Sequence, residues 1–267
     1  MKHCLTIAGS DSCGGAGIQA DLKAFSANGT YGMSVITAIT AQNTQGVFDV
    51  QDITPSVIAH QIEAIFDDIH VDAVKIGMVS RPETIEIIAQ TLKKYPLPPL
   101  VVDPVMISKS GYDLLRPEAK KALIELLIPM ATLITPNLPE AEVIVGYTID
   151  TVELMQKAAK DLHQLGCKYV LVKGGHLKDD ATDVLFDGES FYLLHSPRLD
   201  SINTHGTGCT LSSAIAANLA KGLALKEAVE CAKAYITEAI EHGFVLGKGV
   251  GPVHHFYRLY TNAGINA

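Results

Sequence analysis

The sequence lacks the patterns that would make it a disulfide scaffold, a membrane protein or a nucleic-acid binder. Its five cysteines (Cys4, Cys13, Cys167, Cys209 and Cys231) are odd in number and dispersed, with no C-x-x-C pair. That spacing fits neither a disulfide framework nor a zinc site, and it suits a reducing compartment. No run of Lys or Arg interrupts a formal charge of −8 over 267 residues, so the basic face that grips a phosphate backbone is missing. No apolar segment approaches the roughly 20 residues needed to cross a bilayer, and the opening MKHCLTIAGSD is too short in apolar residues for a secretory signal. These absences predict a cytoplasmic chain with no nucleic-acid and no membrane partner. Internal repeats, low-complexity segments and linkers rich in Pro, Gly and Ser are also lacking, which predicts a single domain over 1–267.

Two nucleotide-binding motifs are absent as well. GFVLGKG at 243–249 has one spacer residue too few for a P-loop, Gly249 stands where the magnesium-holding Ser or Thr belongs, and the stretch follows a helix. The first loop, GSDSCGGAG, lacks G-x-G-x-x-G spacing, which argues against a dinucleotide site and an NAD-dependent oxidoreductase.

What is present is a 48% hydrophobic composition and a regular alternation of short β-branched runs with amphipathic ones. HCLTIA, YGMSVITAIT, DAVKIGM, PLVVDPV, ATLITPN and CKYVLVKGG read as strands. IQADLKAFSANG, SVIAHQIEAIFDDI, PETIEIIAQTLKKY, PEAKKALIELLIPM and TVELMQKAAKDLHQLG read as the helices between them. Then ATDVLFDG and ESFYLLHSP form an antiparallel hairpin signal, and two further helices follow. The pattern predicts a three-layer α/β/α fold: a mostly parallel central sheet covered on both faces, with an antiparallel hairpin at one edge.

In such a sheet ligands bind beyond the carboxyl ends of the strands, and polar or Gly-rich segments follow every core strand here. In NTHGTGCTLSS, Gly206, Thr207 and Gly208 lead into a helix whose first N–H groups and dipole favour an anion. Cys209 would occupy the first turn, where that field favours thiolate; the bland alternative is a small packing cysteine. Asp103 and Glu140 each sit at or just past a strand end and together offer the one or two carboxylates that Mg²⁺ takes beside phosphates and water. Singly, Asp103 reads as a turn residue before Pro104 and Glu140 as a helix-start carboxylate, with Asn137 three residues before it. Lys173 ends a strand before Gly174 and Gly175, and Lys109 lies in MISKSG. Either could meet a nucleotide phosphate or simply be solvated. His176, His205, His254 and His255 have no recurring ligand spacing and read as polar filler rather than metal ligands.

Through these residues and the motifs around them, the sequence resembles the hydroxymethylpyrimidine/phosphomethylpyrimidine kinases of thiamin biosynthesis, in the ribokinase-like superfamily. LTIAGSDSCGGAGIQADLKAFSANGTYGMSVITAITAQNTQGV, VVDPVM, TPNLPEA, VKGGH and HGTGC match in order and span essentially the whole chain. The resemblance implies phosphorylation of a hydroxymethylpyrimidine, and then of its monophosphate, with ATP as co-substrate and Mg²⁺. It implies Cys209 as catalytic base where the superfamily's sugar kinases have Asp, with Gly206, Thr207 and Gly208 as the anion hole. It implies Asn137 and Lys173 on the ATP side, where loop residue Lys109 is also expected from its position, Asp103 and Glu140 near the metal, and Gly9, Asp21, Gln42 and Met78 in the pyrimidine pocket. It also implies a homodimer. SDSCGG departs from relatives that often carry Pro and Ser around positions 12–13, and it makes Cys13 a second oxidisable thiol. The nearest alternative is a pyridoxine or pyridoxal kinase of the same Cys-containing branch.

Overall fold

The computed structural model describes residues 1–106, 116–175 and 181–265. The chain runs β1 (His3–Asp11), α1 (Gly17–Ala27), β2 (Tyr31–Asn43), β3 (Gly46–Asp52), α2 (Pro55–Phe66), β4 (Ala73–Ile76), α3 (Pro82–Leu92) and β5 (Leu100–Val102). It continues with α4 (Pro117–Ala122), β6 (Leu133–Ile134), α5 (Leu138–Val145), α6 (Val152–His163), β7 (Tyr169–Val172), β8 (Asp183–Phe186), β9 (Phe191–Leu194), α7 (Thr207–Ala220), α8 (Leu225–Glu241) and α9 (Tyr257–Asn262). All nine strands share one sheet in the order β3-β2-β1-β4-β5-β6-β7-β8-β9.

The six strands from β2 to β7 are parallel, because β-branched, doubly buried runs separated by helices can cross over only that way. β7–β8 and β8–β9 are antiparallel, as the late hairpin signal predicts. The opposite edge carries a strand that the alternation of apolar runs does not announce: AQNTQG spans the end of β2 and the turn into β3, which pairs antiparallel with β2. β3 has no buried residue and exposes Phe48, Asp49 and Gln51 beside half-buried neighbours, so it carries little of the apolar signal that marks the core strands. The predicted helix over 117–130 is α4 followed by a π turn at Leu123–Leu127 and a 3₁₀ turn at Ile128–Met130. Pro129 supplies no N–H there and cannot continue the α ladder.

Two cores lie on either side of the sheet. Ile58, Ile62, Ile85, Ile88, Leu123 and Leu162 come from α2 to α6 or the π turn and pack with Leu5, Val35 and Ile76 on one face. On the other, α7 buries Ala214, Ile215, Ala216 and Ala217 against Ala73, Val101 and Leu133. The small residues of α7 bring its axis close to the sheet, and its N-terminus reaches the carboxyl ends of the central strands. Strand order reverses between β1 and β4, the position at which a doubly wound sheet opens a crevice.

Candidate active site

A cavity of about 350 Å³ occupies that crevice. Gly9, Ser10 and Asp11 enter it from the end of β1, Thr40 and Gln42 from β2, and Met78 from the loop after β4. Asp103 follows β5, Asn137 and Glu140 start α5, Lys173 follows β7, and Gly206 to Cys209 begin α7. Eleven of the thirteen residues singled out above therefore line one space. Asp21 is not among them, and Lys109 lies outside the described residues.

Gly206 caps α7 in the left-handed region, φ +77°, and a Cβ there would stand 1.8 Å from the Gly15 carbonyl oxygen. Only glycine meets both demands. With no side-chain cap on α7, the Gly208 and Cys209 N–H groups lie in the first turn, where helix geometry provides no i−4 acceptor. Thr207 turns its hydroxyl away, donating to the Thr204 carbonyl at 2.8 Å.

The thiol of Cys209 departs from the expectation raised by its place at a helix N-terminus. Withdrawal from bulk water pushes it up to about 11, with Asp21 and Asp103 pushing the same way. Lys75 and the Gly17 N–H pull it down only in part. Desolvation outweighs the helix field here.

Beneath the cavity floor lies an ion pair that strand periodicity hides. Lys75, wholly buried in β4, donates to both oxygens of wholly buried Asp21 at 2.8 and 2.9 Å. Asp21 also accepts from Thr6 Oγ1 at 2.6 Å and Ser213 Oγ at 2.8 Å. Burial disfavours the Lys75 ammonium, but Asp21, Cys209 and Asp103 outweigh it and hold its pKa above the usual range. Asp21 thus sits one layer behind the cavity wall with its acceptors occupied.

On the far side, Lys173 Nζ donates to Asp103 Oδ1 at 2.9 Å, and Thr135 Oγ1 lies 3.1 Å from the same oxygen. Burial opposes ionisation of Asp103, but Lys173 and Lys75 outweigh it and lower its pKa. Asn137 and Glu140 form a reciprocal capping box on α5: Glu140 N–H donates to Asn137 Oδ1 at 2.9 Å and Asn137 N–H to Glu140 Oε2 at 2.8 Å. The helix-start role read for Glu140 is therefore realised, and the residue lines the cavity as well. Burial raises the Glu140 carboxyl to about 7, and Asp103 adds to that while Lys173 opposes it. Two desolvated carboxylates on one wall make a hard-oxygen donor set that fits Mg²⁺.

Asp11 and His205 also line the cavity, although Asp11 stands out by no motif in the sequence and His205 reads there as polar filler. His205 Nε2 lies 2.8 Å from Asp11 Oδ2, joining the β1–α1 loop to the loop that precedes α7. The Cys13, Gly15 and Ala16 N–H groups donate to the same carboxylate. The available signal was position alone, since Asp11 follows β1 and His205 abuts Gly206.

Comparison with known proteins decides the family. The phosphomethylpyrimidine kinase family model matches residues 11–254. The chain belongs to that family. This kinase is 56% identical over 263 residues to the hydroxymethylpyrimidine/phosphomethylpyrimidine kinase of Rhizobium meliloti, covering 97% of this chain and 98% of the relative. A solved phosphomethylpyrimidine kinase from Clostridium difficile superposes with TM-score 0.81 at 58% identity, covering 90% of the kinase and all of that chain. A Bacillus subtilis pyridoxal kinase, solved with ADP, superposes with TM-score 0.89 at 46% identity, covering 97% and 99%. Among the described residues of the kinase, no helix is long and apolar enough to cross a membrane.

Proposed function

We propose that the chain transfers the γ-phosphoryl group of ATP to the hydroxymethyl oxygen of 4-amino-5-hydroxymethyl-2-methylpyrimidine, and then a second one to the monophosphate, in thiamin biosynthesis. The observation that carries this reading is one cavity with Gln42 and Met78 at one end, Asp103, Glu140 and Lys173 at the other, and the Gly206–Cys209 turn among its walls. An amide offering both a donor and an acceptor suits the edge of an aminopyrimidine, and a thioether suits its face.

In the first step the alcohol oxygen forms a bond to Pγ, the bond from Pγ to the bridging oxygen breaks, and ADP leaves. The alcohol proton passes to the Cys209 thiolate. The Gly208 and Cys209 N–H groups and Lys173 face the charge spread over the transferring group. Asp103 and Glu140 would hold Mg²⁺, which neutralises phosphate charge when bound. In the second step the nucleophile is a phosphate monoester oxygen that is already ionised, so the step requires no base. We also propose that the enzyme works as a cytoplasmic homodimer; the long-edge exposure of Phe48 (68%) on β3 and Ile39 (49%) on β2 supports a partner at that edge.

The likeness to pyridoxal kinase favours one second reading, phosphorylation of pyridoxine or pyridoxal at the same hydroxymethyl position. Mass analysis of products after incubation with the hydroxymethylpyrimidine, ATP and magnesium tests both. Stepwise gains of one and then two phosphoryl groups are expected; turnover of pyridoxal alone would overturn the proposal.

A further inference from the structure

The β1–α1 loop brings three metal-ligating atoms of different softness together at the cavity wall. Cys13 Sγ lies 3.4 Å from Asp11 Oδ2 and 3.6 Å from His205 Nε2, and His205 Nε2 lies 2.8 Å from Asp11 Oδ2. Among the described residues this is the one group of three or more His, Cys, Asp or Glu side chains whose donor atoms converge in this way. Sequence spacing hides it, because residues 13 and 205 come from opposite ends of the chain.

The triangle can be compared with one face of a zinc tetrahedron. With Zn–S about 2.3 Å and Zn–N and Zn–O about 2.0–2.1 Å, tetrahedral angles require edges of about 3.6 Å to sulfur and about 3.3 Å between nitrogen and oxygen. The two sulfur edges are already at those lengths. The third is shorter by about half an ångström because a hydrogen bond occupies it, and replacing that proton with a cation opens the edge. The surroundings hold the donors in place. Gly15 has no side chain to keep His205 away: a Cβ there would lie 2.2 Å from the ring's Cδ2. The Gly15 and Ala16 N–H groups fix Asp11 Oδ2, as outer-shell partners fix metal-binding carboxylates.

We propose that Asp11, Cys13 and His205 form a site for a thiophilic divalent cation, Zn²⁺ in the first instance, separate from the hard-oxygen pair Asp103 and Glu140. Sulfur, imidazole and a single carboxylate select zinc over magnesium. On binding, the Cys13 thiol gives its proton to solvent, and His205 presents an unprotonated Nε2 to the metal. The fourth position is open to water from the cavity that Asp11 and His205 line. Gln42 Nε2 stands 3.4 Å from His205 Nε2, so a bound cation crowds the end of the cavity assigned to the pyrimidine. Zinc is then an inhibitor that competes with the pyrimidine rather than with ATP. Only this last consequence rests on the proposed kinase reaction.

The test uses the whole chain without nucleotide. Co²⁺ as a spectroscopic probe is expected to give a thiolate-to-cobalt charge-transfer band that saturates at one equivalent and is bleached by Zn²⁺. Cys209→Ser should retain the band. Cys13→Ser should lose it and weaken zinc binding in calorimetry by at least the roughly 10–100-fold that loss of an outer-shell partner alone costs. Cys13→Ser should also keep wild-type turnover in magnesium while escaping zinc inhibition. A band that follows Cys209, or equal zinc affinity in Cys13→Ser, overturns the site. A normal cobalt spectrum in a chain that does not phosphorylate pyrimidines leaves the site intact and removes the kinase reading instead.

Discussion

At the scale of single residues, the cavity is governed by a competition between desolvation and local charge, and Cys209 shows which wins. A thiol held near 11 is scarce as thiolate at neutral pH, but each thiolate is a strong base. The first phosphorylation should therefore accelerate by about tenfold per pH unit from pH 7 to 9, because the thiolate fraction grows at that rate well below the pKa. The second should stay nearly flat, since its nucleophile needs no base. Cys209→Ala should slow the first step by about 10²–10⁴-fold, leave the second within about tenfold, and abolish the pH slope. Separate single-turnover assays on the alcohol and on the monophosphate check all three. Equal losses in both steps would make the cysteine a positioning group. Glu140 is the other residue whose charge is in play. Burial raises it to about 7, so ionisation on the way up through pH 7 exposes a second carboxylate to the metal. The magnesium concentration for half-maximal rate should fall by up to about tenfold per pH unit between 6 and 7 and level off above. In Glu140→Gln that dependence should vanish.

Secondary-structure elements decide which side chains meet, and here legibility from sequence varied with the kind of signal. The carboxyl-terminal positions of β1, β5 and β7 and the start of α7 followed from counting alternating elements, which is why most of the proposed residues converge. Asp21 did not, because helix α1 turns it toward buried Lys75 in β4. A lysine inside DAVKIGM looks like an interruption of a strand until its partner 54 residues away is seen. Asp11 went unmarked and His205 read as filler for the same reason: their contact spans 194 residues, and no local periodicity encodes it. The joint between β1–α1 and α7 is tight at Gly206. Gly206→Ala forces a left-handed alanine, costing about 1–2 kcal/mol, and drives its Cβ into the Gly15 carbonyl. The expected result is a fall in kcat of about 10²-fold or more as the N–H donors of α7 shift, with circular dichroism unchanged. Full activity would mean that the turn does not hold the transferring phosphoryl group.

For the whole molecule, the central parallel strands were readable because burial on both faces demands continuous β-branched runs. The edges were only half readable. The β8–β9 hairpin carries a Gly turn between apolar runs, whereas β3 (GVFDVQD) mixes exposed Asp49 and half-buried Asp52 with exposed Phe48 and offers no such pattern. That weak signature is itself informative about assembly. An edge strand leaves its outer N–H and C=O groups unpaired, and native proteins usually blunt such an edge with charge or cover it. β3 carries Asp49 and Asp52 yet exposes Phe48 at 68%, so charge alone does not protect this edge, and the proposed homodimer would cover it with a second copy. Closed two-fold pairing would bury Phe48 twice, once from each subunit. Sedimentation velocity should then give a dimer for the wild-type chain and a monomer for Phe48→Glu, whose carboxylate would have to be buried without a partner. Circular dichroism and the melting of the monomeric variant separate a lost interface from a lost fold. A wild-type chain that sediments as a monomer at all concentrations would remove the dimer and leave β3 a solvated edge.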